Sequence, residues 1–276
     1  FTGDEIWKNK TIFELEKKTF LPKEWHKPLF TEAKKHGLIC FSSPFDVQSV
    51  RFLRKLKVPA FKVASMEISD NELIAEMAKT SKPIIISTGV ANERDIRDAI
   101  KICKKFSNNK IAILKCTSSY PTSLKDVNLN NLLTFKKFKT ILGLSDHTIS
   151  TLIPAAAVTM GAKIIEKHFT LSRNLSGPDQ KLSIEPKELK EMVTKIRLSE
   201  IMMGNGKIFP SREEMTVRNK FRRSIVANST INKGTVITKK MLTLKRPGTG
   251  LHPKFFNQLI GKKAKKNYRK DQKVFL

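Results

Sequence analysis

Thr140-Ile141-Leu142-Gly143-Leu144, then the stretch 151–160, then Lys163-Ile164-Ile165-Glu166, decide the fold. The first and third are short apolar runs of strand length. The middle stretch, Thr-Leu-Ile-Pro-Ala-Ala-Ala-Val-Thr-Met, is apolar and of helix length. Two such runs joined by about ten residues of helix read as a βαβ unit, whose strands lie parallel and are covered on both faces.

The alternation extends in both directions. Upstream, 38–42 reads as a strand and 44–56 as a helix carrying Val47, Val50, Phe52 and Leu53. Further strands follow at 60–64, 83–87 and 111–116, with helices at 71–80 and 93–106 between them. Downstream, 186–203 reads as a helix, and the first twenty residues are polar and irregular. A repeat of about 20–30 residues suits a (β/α) barrel, and no GxGxxG accompanies it to suggest a doubly wound nucleotide fold. Six units are present where a closed barrel has about eight. The expectation is an α/β fold: a TIM (β/α)8-type barrel lacking its first two βα units, over residues 1–204. After Gly204-Asn205-Gly206 the pattern changes. A linker is expected at 205–220, with a charged helical stretch from Ser211 to Lys220. A compact β-rich domain is expected at 221–276, with β-like runs at 222–227, 231–237 and 242–246 before the turn Pro247-Gly248-Thr249-Gly250.

Composition narrows the function classes. Hydrophobic residues make up 39% and charged residues 28% of the 276, a globular balance. No apolar stretch reaches the roughly 18 residues of a membrane span, and the first residues lack a basic, apolar leader. Three cysteines, Cys40, Cys103 and Cys116, without a CxxC, fit a reducing cytoplasm with no disulfide framework. The net charge of +28 raises nucleic-acid binding. Lys and Arg are spread over nearly every predicted element, and no nucleic-acid motif accompanies the one dense run, 261–266, so the charge reads as a solvated surface that also attracts anionic substrates.

Chemistry gathers at the predicted strand ends, which form the mouth of a barrel. They read Ser42-Ser43-Pro44; Lys62 with Ser65 and Glu67; Ser87-Thr88-Gly89; Cys116-Thr117-Ser118-Ser119-Tyr120; Ser145-Asp146-His147; and Glu166-Lys167-His168. His147 and His168 end consecutive strands, and neutral imidazoles with nearby oxygens suit Mn, Fe, Co or Zn. Glu166 shares a strand face with His168. Asp146 is a candidate for orienting one of the rings. Lys62, inside an apolar strand, calls for an anion or for Schiff-base chemistry. Singly, each serine reads as a cap and each histidine as a hydrogen-bonded ring; the repetition at strand ends is what points to one pocket.

Phe41-Ser42-Ser43-Pro44-Phe45, Lys62-Val63-Ala64-Ser65-Met66-Glu67, Ser87-Thr88-Gly89, the stretch 115–121, 143–147, 165–169 and Gly177-Pro178-Asp179 resemble, in order and spacing, the sialic acid synthases. Arg246-Pro247-Gly248-Thr249-Gly250 is similar to their C-terminal SAF (antifreeze-like) domain. Glu24-Trp25-His26 and 250–254 look most like the pseudaminic acid synthase branch. The resemblance implies a TIM barrel whose SAF domain is exchanged across a homodimer. It implies condensation of phosphoenolpyruvate with a 2,4-diacetamido-2,4,6-trideoxy-altrose and water, giving pseudaminic acid and phosphate. Neuraminate or legionaminic acid synthesis is the alternative within the family. By that resemblance His147 and His168 hold a divalent metal (Mn, Mg or Co), and Lys62, Ser65, Ser87 and Ser145 grip phosphoenolpyruvate. Ser43, Ser118, Tyr120 and Asp179 line the sugar side, and Arg246 reaches the partner's barrel. Glu67 and Glu166 are the candidate catalytic carboxylates. The family's A-E-I-G-x-N-H and K-x-Q motifs, which supply a Glu and a Lys, are not in this sequence, so this chain is expected to be inactive by itself. Ser118 stands where the neuraminate branch usually has Asn, and the end at Phe275-Leu276 looks cut short. A Schiff-base aldolase using Lys62, and a carbohydrate- or ice-binding module in the C-terminal domain, are the readings of other classes.

Overall fold

The computed structural model describes Thr11, Phe13, Glu14, Lys17 and residues 20–276. The reading of the first twenty residues lies, apart from those that fall among these, outside the described residues. The described chain forms two compact units that divide at Gly204 and Asn205.

The first unit is built on one five-stranded parallel sheet in sequence order. Its strands are β1 (Phe61–Val63), β2 (Ile84–Ser87), β3 (Ile111–Cys116), β4 (Ile141–Asp146) and β5 (Ile164–Lys167). Curled and flanked by helices, it is half of a TIM-type barrel. Every residue of β3 is buried, as a parallel strand covered on both faces must be. The helices are α1 (Lys23–Lys35), α2 (Val47–Lys55), α3 (Asn71–Lys79), α4 (Glu93–Lys105), α5 (Asn131–Phe135), α6 (Leu152–Thr159) and α7 (Pro186–Met203). Their sequences explain their limits. Asn92 caps α4 by accepting from the N–H groups of Arg94 and Asp95, and Asp95 returns the bond to Asn92. From there Ile96, Ala99, Ile100 and Cys103 fall on one face, and that face is buried against the sheet.

One predicted strand is not a strand. Residues 38–42 join no ladder: β1 pairs with β2, and no ladder reaches 38–42 among the described residues. The Leu38 N–H instead closes the end of α1 on Ala33 O at 2.9 Å, and Leu38 and Ile39 are 65% and 78% exposed. An apolar run becomes a strand only by pairing its backbone. At the other edge, a parallel bridge between Phe169 and Ile184 extends the sheet where no strand was expected.

The second unit spans residues 205–276. The charged stretch expected to be helical within the linker forms α8 (Arg212–Phe221), capped by Ser211 and running one residue past the linker's expected end at 220. β6 (Ser224–Ala227) and β7 (Leu242–Lys245) pair antiparallel. The expected run 231–237 contributes isolated bridges, Ile231 to Tyr268 and Val236 to Lys263, rather than a strand. The short α9 (Phe256–Leu259) follows, and Ile225, Ile231, Ile237, Tyr268 and Val274 form a separate core.

Candidate active site at the carboxyl ends of the strands

The strand ends of the first unit converge on one polar cluster. Lys62, only 8% exposed on β1, donates from Nζ to Ser87 Oγ of β2 at 2.7 Å and to Val63 O at 3.1 Å. Its amine lies 3.5 Å from Glu166 Oε2 of β5, so a chord of charge crosses the mouth of the half-barrel. The other Glu166 oxygen accepts from Ser145 Oγ of β4 at 2.6 Å. Ser65, opening a short 3-10 turn after β1, donates to Cys116 Sγ at 3.4 Å and accepts from the Gly89 N–H at 3.1 Å. A side chain at Gly89 would drive into this group: its Cβ would lie 2.1 Å from Ser118 Oγ and 2.7 Å from Ser65 Oγ. Lys62, Ser87, Glu166 and Ser145 therefore form one connected set, which Ser65 reaches through Cys116, itself hydrogen-bonded to Ser145.

The two histidines stand beside it. The rings of His147 and His168 are 5.2 Å apart between centroids, edge to face. Tyr120 packs on both, 4.3 Å from His147 and 6.1 Å from His168. Burial pushes its phenol up to about 12, with the Cys116 and Asp179 charges adding to the effect, so it remains a proton donor. Asp179 Oδ2 lies 3.5 Å from His168 Nδ1. Burial works against a charged His147, but the Cys116 thiol, the Thr117 carbonyl and Glu166 outweigh it and raise its pKa. For Cys116, burial is more than offset by hydrogen bonds from His147 and Ser65, and the thiol is lowered.

His147 Nδ1 donates to Thr117 O at 2.8 Å, because a carbonyl can only accept. In the neutral ring this leaves the lone pair on Nε2, the tautomer a metal ligand needs. Among the described residues no three His, Cys, Asp or Glu side chains gather into a complete metal set. The donors fit a divalent ion held by His147 and His168, with its other positions filled by water or substrate oxygens.

The remaining candidates have other anchors. Ser43 is half-buried, and no hydrogen bond or ion pair ties it to the set among the described residues. Glu67 lies in the turn after Ser65, its N–H bonded to Ala64 O. Arg246 belongs to the second unit, where Nε donates to Phe221 O at 2.9 Å. Asp146 does not orient a ring as expected. It points to the opposite face of β4, where Oδ2 pairs with Lys167 Nζ at 2.6 Å. Its place next to His147 in sequence puts it on the other side of the sheet. The sequence reading placed Cys116 and Thr117 at a strand end but gave neither the thiol nor the Thr117 carbonyl a role. Cys116 carried a signal, since it ends β3 in register with Ser145.

A model of the NeuB family matches residues 1–208, and a model of the SAF domain matches residues 222–274. A pseudaminic acid synthase from Campylobacter jejuni is 39% identical over 96% of this chain and 77% of its own length. An N,N'-diacetyllegionaminic acid synthase from the same species is 41% identical over 90% of this chain and 75% of its own. A crystal structure of a sialic acid synthetase from Leptospira borgpetersenii, in complex with citrate, superposes with a TM-score of 0.72 at 35% identity, covering 78% of this chain and 76% of that one.

Proposed function

Because the chain belongs to the NeuB family, we propose that it serves a nonulosonic acid synthase that condenses phosphoenolpyruvate with an acylamino-sugar aldehyde. The observation that carries this reading is the buried amine of Lys62, bonded to the Ser87 hydroxyl and beside Glu166, in the same strand-end cluster as two adjacent imidazoles. An anionic enol phosphate needs the first, and an aldehyde oxygen the second. When bound at His147 and His168, a divalent ion supplies Lewis-acid polarisation of that oxygen.

The chain's own residues account for the rest. Lys62, Ser65, Ser87 and Ser145 offset the charge of phosphoenolpyruvate in a site of low dielectric and hold its C3 toward the aldehyde carbon. The C–C bond forms from C3, leaving an oxocarbenium-like centre at C2. Water adds to C2 and loses a proton, and the C2–O bond then breaks to release phosphate. Glu166 and Glu67 are the carboxylates proposed to order that water or take its proton. Tyr120, held as a phenol, donates to the sugar, with Ser43, Ser118 and Asp179 along the same side. Arg246 is proposed to complete this side from a second copy of the chain, in a homodimer with exchanged SAF domains.

The sugar is proposed to be 2,4-diacetamido-2,4,6-trideoxy-altrose, giving pseudaminic acid. This rests on the resemblance at 24–26 and 250–254. Neither stretch is in the cluster: His26 packs 5.2 Å from the Phe52 ring, and His252 caps the N–H of Lys254. The legionaminic relative is as similar as the pseudaminic one, so legionaminic acid synthesis is the second reading. Phosphate release from phosphoenolpyruvate with the altrose derivative, compared with its stereoisomers and with EDTA added, tests both. Turnover that survives EDTA, together with borohydride trapping of pyruvate on Lys62, would instead make this an aldolase. The 276-residue chain by itself is expected to show little or no turnover, since it carries neither of the two further motifs that the resemblance calls for, so the assay belongs to a chain that carries both.

A further inference from the structure

Behind the two imidazoles, on the helix-facing side of the sheet, lies a buried ion pair that none of the proposed chemistry uses. Lys167 and Asp146 are register partners on β5 and β4, and their side chains are 4% and 2% exposed. Lys167 Nζ meets Asp146 Oδ2 at 2.6 Å and also donates to Thr148 O. Asp146 accepts in turn from the Thr148 N–H at 3.0 Å and from Thr148 Oγ1 at 3.1 Å. One ammonium therefore ties down the residues on either side of His147. That ammonium belongs to the residue directly before His168.

We propose that Lys167, through Asp146 and Thr148, is the positioning residue that sets the spacing of His147 and His168. The inference rests on the reading of those histidines as a metal-holding pair. Neighbouring residues on a strand face opposite ways, so a clamp behind the sheet fixes where the next residue emerges in front. His147 is held from its other side as well. Thr122 N donates to His147 O at 3.0 Å, and the Thr122 hydroxyl lies 2.8 Å from Ser119 O and 3.2 Å from Thr117 O, the carbonyl that receives His147 Nδ1. The loop after β3 thus fixes the ring's tautomer, and Lys167 fixes its distance from His168. A buried ion pair is a poor device for stability, because desolvation cancels much of the attraction. Two directional, fully buried anchor groups suit a device for geometry.

Removing one charge would strand the other in the interior, so the decisive variant is Asp146→Leu with Lys167→Met, which removes both together. Binding of Mn2+ to the 276-residue chain is followed by electron paramagnetic resonance, with thermal unfolding as the control. The double variant is expected to keep a cooperative unfolding transition and to lose about tenfold or more in Mn2+ affinity, as losses behind metal ligands typically do. Lys167→Arg, which keeps the charge and the donors, is expected to recover most of it. Wild-type affinity in the double variant would overturn the inference. Ring 15N shifts of His147 and His168, read without metal, separate the two readings. If the wild-type chain binds no Mn2+, the metal reading falls, and the positioning role then stands or falls on whether the double variant changes those shifts. Where the double variant does not fold, Asp146→Asn keeps the shape and is expected to show the same changes in smaller measure; unchanged shifts and affinity there would overturn the inference.

Discussion

Gly89 is where the proposed anion site is most exposed to a single-atom change. Its N–H donates to Ser65 Oγ, and an added methyl would collide with Ser65 and Ser118 hydroxyls at 2.7 and 2.1 Å. Gly89→Ala is expected to cost about 1–3 kcal/mol of stability, as overpacking does. It should also weaken phosphoenolpyruvate binding by about tenfold, the value of one hydrogen bond to a charged group. Calorimetric titration measures the second effect, and unchanged affinity would remove Ser65 from the anion site. Lys62→Met is expected to lower the same affinity further, since it takes away the only cation bonded to Ser87 and beside Glu166 among the described residues. These positions were legible in the sequence because strand alternation assigns a face: Glu166 and His168 share one, as do Ser145 and His147. What alternation does not give is the partner across the sheet. Asp146 next to His147 looked like a ring-orienting carboxylate. Only the register of β4 against β5 shows that Lys167 claims it.

Among the elements, the helices read from the sequence were right in type and nearly in extent, because their apolar spacing and caps agree, whereas α1 (Lys23–Lys35), with a proline inside it, and the five-residue α5 (Asn131–Phe135) were not foreseen. Their ends obey a rule the sequence hides. α2, α3 and α4 each finish in a left-handed residue, Lys57, Ser81 and Ser107, with φ of 58°, 57° and 56°. The Ser107 N–H reaches Lys104 O and the Asn108 N–H reaches Cys103 O, a Schellman closure with no glycine to announce it. Replacing each of the three by glycine is expected to add about 0.5–1 kcal/mol, as relief of left-handed strain exceeds glycine's entropy cost. Urea unfolding of the triple variant checks this, and a loss of stability would mean those side chains carry contacts that matter more than strain. The start of α7 supplies an acid-sensitive contact. Glu188 accepts from Arg173 and from the Glu185 N–H, and the Arg173 bond foremost holds its carboxyl below the ordinary 4.5. A lowered folded pKa stabilises fully above the unfolded value and loses that contribution as pH falls through the folded one. Arg173→Leu is thus expected to cost about 1 kcal/mol near neutrality, and the gap to wild type should close in acid. An equal gap at both pH values would show that Arg173 acts through packing alone. The failed strand at 38–42 has the same lesson in reverse: its apolar residues were legible, but the absence of a pairing neighbour was not.

At the scale of the molecule, the two units are chemically unlike. Between 205 and 276 there are nineteen Lys and Arg against three Asp and Glu, so a quarter of the chain carries more than half of its net charge of +28. The spread of basic residues over nearly every element is real but uneven. Among the described residues the only ion pair within this unit joins Lys245 to Asp271. Lys262, Lys263, Lys265, Lys266, Arg269 and Lys270 are exposed on one segment whose inward residues, Ala264 and Tyr268, belong to the core. Like charges this close oppose compaction, and a domain of this size has little core to set against them. Residues 205–276 made alone are therefore expected to fold cooperatively on the Ile225, Ile231, Tyr268 and Val274 core, but with a midpoint that climbs steeply with salt. Raising NaCl from about 0.01 M to about 1 M shrinks the screening length from roughly 30 Å to roughly 3 Å and removes most of the repulsion. The first unit, with thirty-four basic against twenty-two acidic residues, should respond far less. Thermal unfolding of each unit across that range decides the matter. A midpoint for 205–276 that does not move with salt would mean that its lysines are spaced widely enough to ignore one another, and that the charge shapes only what approaches the surface.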